Sequence, residues 1–262
     1  MLEFVLMRSI IITGAGSGIG RATALACAKR GDQVVALDIN GATAETTAHT
    51  CRSLGANALG IACDVRDEVQ VRDAFAQSAE KFGPAWGVFA NAGIDDGGAI
   101  HELPLERWNN TLSINLTGIF LCCKYALQQM IEAGIQGSVV CSASPCGLVA
   151  LPVGGMGAYS ATKGGISALV RCMAVDYASR GIRVNAIVPG ATETGMLWNN
   201  VTPPEIERMR AQLNREIPLG RIGQPDEVAK AVIWLLSDES AYVTGSQLVC
   251  DGGVLAKASI SI

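Results

Sequence analysis

Thr13-Gly14-Ala15-Gly16-Ser17-Gly18-Ile19-Gly20 is the stretch whose reading decides the fold. In front of it stands Arg8-Ser9-Ile10-Ile11-Ile12, a short run of β-branched isoleucines that reads as a strand buried on both faces. Behind it, residues 18–30 are rich in small residues, read as helical, and are closed by Gly31. A glycine loop between a strand and a helix is the setting in which a chain cradles a pyrophosphate. The turn must be tight, the backbone must approach the anion closely, and the free N–H groups of the helix start must face it. Gly14, Gly16, Gly18 and Gly20 supply residues without Cβ where that geometry asks for them, and Ser17 stands among them as an uncharged residue.

Outward from the loop, strand and helix patterns alternate. Strands are expected at 33–37, 58–63, 86–90, 138–142, 183–188 and 247–250. Helices are expected at 42–54, 68–82, 108–133, 159–179, 203–214 and 226–236. Strands separated by helical segments pair in parallel through crossovers. The expected fold class is α/β, a Rossmann-type, doubly wound three-layer α/β/α sandwich. No linker, repeat or low-complexity segment interrupts the 262 residues, so 1–262 reads as one domain that both binds a dinucleotide and carries the chemistry.

Composition narrows the function. Hydrophobic residues make up 49% and charged residues 17% of the chain, and the mean hydropathy is +0.31, which excludes disorder. A net charge of −4 speaks against a nucleic-acid partner. The nine cysteines are odd in number and form no C-x-x-C pair, and there are two histidines. That pattern fits buried reduced thiols in the cytoplasm and no metal site. Glu3 and Arg8 interrupt the apolar start, which reads better as a first strand than as a signal peptide. The uncharged run 133–162 is broken by glycines and prolines, so no membrane partner is expected.

Three further strand ends carry candidate ligand groups, as open α/β sheets require. Asp38 follows the second strand at the distance from the glycines where a carboxylate accepts hydrogen bonds from ribose hydroxyls. It would repel a 2′-phosphate, and no basic residue follows it closely, so the expected cofactor is NAD. Asp64-Val65 ends the third strand, where it could reach the adenine, with Asp64 also eligible as a helix N-cap. Asn91-Ala92-Gly93 ends the fourth. Tyr159 and Lys163, spaced i and i+4, share one helix face. An ammonium near a phenol favours the phenolate, which would make Tyr159 a proton donor and acceptor near neutral pH.

In this order and spacing the motifs resemble the short-chain dehydrogenase/reductase family, from Arg8 to Gly253. The resemblance rests on the loop 13–20, Asp64-Val65, Ala90-Asn91-Ala92-Gly93, Asn115, Ser144, Tyr159 with Lys163, Pro189-Gly190 with Thr194, and Asp251-Gly252-Gly253. It implies a seven-stranded parallel sheet in the order 3-2-1-4-5-6-7. It implies that Tyr159 is the general acid/base, and that Lys163 lowers its pKa and binds the nicotinamide ribose. Ser144 would position the substrate oxygen, and Asn115 would hold a water in a proton relay. Pro189, Gly190, Thr192 and Thr194 would hold the nicotinamide end, and Ile19 would cover the cofactor. Two departures stand out: Ala90 replaces the usual first Asn, and the segment from Ser144 to Tyr159 is about two residues longer than the common spacing. Strict spacing would select Cys146. The strand 138–144 ends better at Ser144, with Ser142 a weaker candidate.

Cys146, Val153, Met196 and Trp198 surround the expected substrate pocket, which is apolar. The expected substrate is a secondary alcohol or ketone on an apolar small molecule, cyclic or aromatic ones included, with an irregular loop 194–217 and Trp198 as its lid. The alternatives are a 3-oxoacyl-thioester reductase and a dinucleotide-sensing binding protein without catalysis. Helices 108–133 and 159–179 are apolar around much of their circumference and must be covered, and the resemblance implies that they pair between copies in a homodimer or homotetramer.

Overall fold

The computed structural model describes residues 7–150, 154–199 and 201–257. Seven strands form one parallel sheet in the order β3-β2-β1-β4-β5-β6-β7. They are β1 (Ser9–Thr13), β2 (Gln33–Asp38), β3 (Ala58–Ala62), β4 (Gly87–Ala90), β5 (Ser138–Ser142), β6 (Arg183–Pro189) and β7 (Gln247–Cys250). The helices are α1 (Gly18–Arg30), α2 (Gly41–Ser53), α3 (Glu68–Phe82), α4 (Leu105–Leu112), α5 (Gly118–Glu132), α6 (Gly157–Ala178), α7 (Pro203–Glu216) and α8 (Pro225–Leu235).

Strand β1 shows why the sheet is covered on both sides. Ile11 joins a core with β2, β4, α3, α5 and α6, through Val35, Val88, Phe75, Met130 and Ile166. Ile10 and Ile12 point the other way, into a second core with Cys27 of α1, Cys51 of α2 and Val232 of α8. All three isoleucines are fully buried, as the period-two geometry of a central strand demands. All nine cysteines are free thiols, seven of them buried. No helix among the described residues is long and apolar enough to cross a membrane.

Three local expectations are corrected. The helix expected at 108–133 starts earlier, at Leu105, and is broken by a π-helical segment, Ser113–Thr117, before continuing as α5. A π-turn carries one residue more per hydrogen-bonded ring, and apolar periodicity does not report it. The cap of α3 is Asp67, whose carboxylate accepts from the N–H groups of Val69 and Gln70. Asp64 is instead engaged by Arg66. The segment 194–217 is also more regular than expected, with a 3₁₀ turn at Gly195–Trp198 followed by α7.

Arg183, at the start of β6, ties the sheet to the end of α8. Its guanidinium donates to the carbonyls of Leu235 (3.0 Å) and Ser237 (2.9 Å) and to Ser240 Oγ (2.9 Å). Replacing it by Met removes three charge-assisted bonds between β6 and the end of α8, and urea unfolding of Arg183→Met is expected to show a loss of roughly 2–3 kcal/mol.

Candidate active site

Parallel pairing brings every strand's carboxyl end to one edge of the sheet. The order reverses between β1 and β4, and that crevice is where ligands bind in such sheets. One residue stitches its two walls together. Thr13 Oγ1 accepts from the N–H groups of Asn91 (2.9 Å) and Ala92 (3.0 Å), and the Thr13 carbonyl accepts from Asn91 Nδ2 (3.1 Å).

The glycine loop has internal as well as ligand reasons for lacking side chains. A Cβ on Gly20 would lie 2.1 Å from the Gly14 carbonyl oxygen, so α1 can rise from the loop only with glycine there. The start of α1 is open to an anion: its N-cap, Ser17, makes no side-chain cap, and its first turn holds no acidic residue. Thr194 packs over Gly18. Asp38, at the tip of β2, accepts from the Gly16 N–H (2.9 Å) through Oδ2 and from the Asn40 N–H (3.0 Å) through Oδ1. The carboxylate is thereby fixed beside the loop. These features fit a dinucleotide with its pyrophosphate at the start of α1 and its adenosine ribose near Asp38.

Other expected cofactor residues are placed less directly. Asp64 is held by Arg66, and that contact keeps its carboxyl below the usual carboxylate range. Val65 is buried in the core against Gly118. Ile19 is half-buried and packs toward the second core. Pro189 and Gly190 end β6, where the Gly190 N–H donates to the Cys250 carbonyl (2.9 Å) and Thr192 Oγ1 donates to the Gly190 carbonyl (3.0 Å). A bridge from Thr192 to Gly223 holds the turn.

Around the tip of β5, the expected reactive residues come together. Ser144 caps the 3₁₀ turn Pro145–Gly147, with Oγ accepting from the Cys146 N–H (3.3 Å). Gly147 presses this turn onto α6: a Cβ there would lie 2.6 Å from the Lys163 carbonyl carbon. Tyr159 is raised well above the ordinary phenol value. Burial is the main cause, the Ser144 hydrogen bond pulls the other way, and the charges of Cys146 and Asp95 push up. The expected lowering by Lys163 is absent from this arrangement. The lysine Nζ donates to the Ser142 carbonyl (2.7 Å) and lies 5.4 Å from the centre of the Tyr159 ring. Burial pulls Lys163 down to about 8, from the ordinary 10.5.

Asn115 sits fully buried in the π-helical segment. Its Oδ1 accepts from the Ile94 N–H (2.8 Å), and its Nδ2 donates to the Ile94 carbonyl (2.8 Å) and to Thr162 Oγ1 (3.4 Å). The amide therefore joins the β4 loop to α6.

The expected pocket residues diverge. Cys146 is buried beside Ser144. Met196 is 43% exposed. Trp198 is pinned: its Nε1 donates to Glu193 Oε1 (2.6 Å), and Arg210, which pairs with Glu193, lies over the ring at 4.9 Å. Val153 lies outside the described residues. Sequence reasoning missed Thr13, Glu193, Arg210 and Asp95. Of these, only Asp95 carried a signal, as a charge just past the Asn91-Ala92-Gly93 strand end.

A family model described as enoyl-(acyl carrier protein) reductase, of the short-chain type, matches residues 14–255. The chain belongs to the short-chain dehydrogenase/reductase family. It is 41% identical over 250 residues to 2,5-dichloro-2,5-cyclohexadiene-1,4-diol dehydrogenase of Sphingobium indicum, covering 95% of this chain and 97% of that one. It is 40% identical over 251 residues to 2-(S)-hydroxypropyl-CoM dehydrogenase 3 of Xanthobacter autotrophicus, covering 94% and 96%. Among solved structures, levodione reductase superposes with a TM-score of 0.90 at 36% identity, covering 96% and 98%. Dehydrogenases of this family are oxidoreductases that use nicotinamide dinucleotides.

The buried lysine gives this short-chain dehydrogenase a pH signature. Below about pH 8 folded and unfolded chains both carry the Lys163 ammonium, and the folded chain bears the full cost of burying it. Between about 8 and 10.5 the folded chain loses that proton first, so stability rises with pH across this window. Urea unfolding at pH 7.5 and pH 10 is expected to show the wild type gaining about 2–3 kcal/mol relative to Lys163→Met.

Proposed function

We propose that the protein is an NAD-dependent dehydrogenase interconverting a secondary alcohol and a ketone on an apolar small molecule. The observation that carries this reading is the grouping of Tyr159, Ser144 and Lys163 at the tip of β5, on the same sheet edge as the glycine loop. Residues 1–262 act on this reading as one catalytic and dinucleotide-binding domain. Relatives named for alcohol dehydrogenation of a cyclic diol and of a hydroxypropyl group support the reaction type.

Ser144 orients the substrate oxygen, and Tyr159 exchanges a proton with it. A phenol held high by burial stays neutral near pH 7, which suits proton donation to a forming alkoxide. In the reverse direction Tyr159 must start as the phenolate, and the Ser144 hydrogen bond is the contact that favours that form. When bound, NAD supplies a hydride acceptor or donor for the carbinol carbon. Asn115, by tying Ile94 to Thr162, fixes the distance between the β4 loop and the helix that carries Tyr159 and Lys163. Asp38, Asn91, Gly93, Thr192 and Thr194 are assigned to the cofactor side. On α5 and α6, Phe120 and Val175 are 48% and 80% exposed, which supports a homodimer or homotetramer; the assignment to the cytoplasm rests on the odd, unpaired cysteine pattern of the sequence.

The family-model description favours a second reading, reduction of an acyl thioester. Asp38 weighs against the NADPH that such a reductase would use. A panel of secondary alcohols with NAD+ or NADP+ tests the proposal. NAD-linked turnover is expected, with kcat/KM for NAD+ exceeding that for NADP+ by at least about tenfold because a carboxylate faces the 2′-phosphate. Turnover of acyl thioesters alone would sink the alcohol reading.

The serine assignment has its own test. Ser144→Ala is expected to lower kcat by about 10²-fold or more. Ser142→Ala keeps near-wild-type kcat, because Lys163 uses the Ser142 backbone carbonyl and not its hydroxyl.

A further inference from the structure

Between β6 and α8 the chain leaves the core for a long stretch. Thr192 and Ile217 are buried, but none of the described residues 193–216 is. The 3₁₀ turn Gly195–Trp198 and α7 both lie in this stretch, and neither contains a buried residue. Burial of an apolar face, which ordinarily fixes a helix against its neighbours, is therefore absent here.

A carboxylate holds the two elements instead. Glu193 Oε1 accepts from Trp198 Nε1 (2.6 Å) and from Arg210 Nη2 (2.9 Å), and Glu193 Oε2 accepts from Arg210 Nη1. The guanidinium also lies 4.9 Å from the centre of the Trp198 ring. Three side chains thus close a triangle between the turn, α7 and the residues that follow β6. The bond from Arg210 holds the Glu193 carboxyl below the usual carboxylate range, so it is ionised at neutral pH. The Glu193 backbone is anchored separately from its side chain. Its N–H donates to the Gly223 carbonyl (2.8 Å), the Gly223 N–H donates to the Ala191 carbonyl (3.0 Å), and Thr192 forms a bridge with Gly223.

The next residue, Thr194, reaches the glycine loop. A Cβ on Gly18 would lie 3.1 Å from Thr194 Cγ2, at the start of α1. The Thr194 carbonyl accepts from the Leu197 N–H (3.2 Å), so the turn that begins at Thr194 ends at the clasped indole.

We propose that Glu193 is a positioning residue for the dinucleotide: by clasping Trp198 and Arg210 it holds the turn and α7 in place and keeps Thr194 over the glycine loop. This rests on the dinucleotide-dependent reading of the function. A charge-assisted, two-pronged pair fixes geometry as well as distance. Groups already fixed before a ligand arrives lose less freedom when it binds. The Arg210 and Glu193 side chains are 36% and 27% exposed, so the clasp adds little to overall stability and acts on affinity.

The test titrates the full chain with NADH and with NADPH, reads binding by nicotinamide fluorescence, and follows the Kd of the tighter one. Glu193→Ala and Arg210→Met are each expected to raise that Kd by about fivefold or more. The midpoint of thermal unfolding, and kcat at saturating cofactor and alcohol, stay close to the wild type. Both substitutions break one clasp, so the double variant should weaken binding no more than the stronger single variant does. Glu193→Gln keeps an acceptor for Trp198 Nε1 and should fall between wild type and Glu193→Ala. A merely structural role would lower the unfolding midpoint and leave the Kd of the folded protein in place. An unchanged Kd in both single variants, or effects that add in the double variant, would overturn the role of Glu193 alone. A wild type that binds neither NADH nor NADPH would overturn the function reading and this one with it.

Discussion

Burying both faces of a parallel sheet is the constraint from which the rest of the molecule follows. Once Ile11 faces one core while Ile10 and Ile12 face another, helices must cover both sides. Every strand then has to run the same way, because each crossover returns the chain to the starting edge. The opposite edge collects seven strand ends. Polar residues gather there, among them Asn91 and Ser144, which carry cofactor and substrate assignments, and Thr13 and Asp251, all at or just past those ends.

Holding the strand ends in register falls to a small number of buried polar groups. Thr13 joins the β1 and β4 turns, Asn115 joins the β4 loop to α6, and Lys163 joins α6 to β5. Each is a side chain bonded to backbone or to a neighbouring element, and each sits where a shift of an ångström would move the Tyr159 phenol. Buried polar groups of this kind are costly when unpaired, so their partners are fixed more firmly than packing alone would require.

Much of this was legible in residue order. Glycine spacing after a three-isoleucine strand marks the loop, and alternating apolar patterns mark the layers. The strand order came from resemblance, since periodicity says nothing about which strands are neighbours. What stayed hidden depends on choices between nearby partners. Asp64 and Asp67 are both acidic residues ahead of α3, and only the backbone direction decides that Asp67 caps it while Asp64 turns to Arg66. The i, i+4 spacing of Tyr159 and Lys163 puts them on one face, but a carbonyl of β5 takes the ammonium. Trp198 looked like a free lid, yet Glu193 and Arg210, five positions before it and twelve after it, hold it in place.

The π-helical segment at Ser113–Thr117 also governs how this chain tolerates insertions and deletions. An α-helix turns about 100° per residue. Removing one residue here would turn the wide turn into an ordinary helical one and leave Cys122, Ala126 and Met130 of α5 facing the core, because the π-turn takes up the extra residue within itself. The cost would fall on Asn115, whose amide would leave its place between Ile94 and Thr162. The extra residue therefore widens the helix at one turn to aim a single amide sideways, and the packing of the helix beyond it is undisturbed.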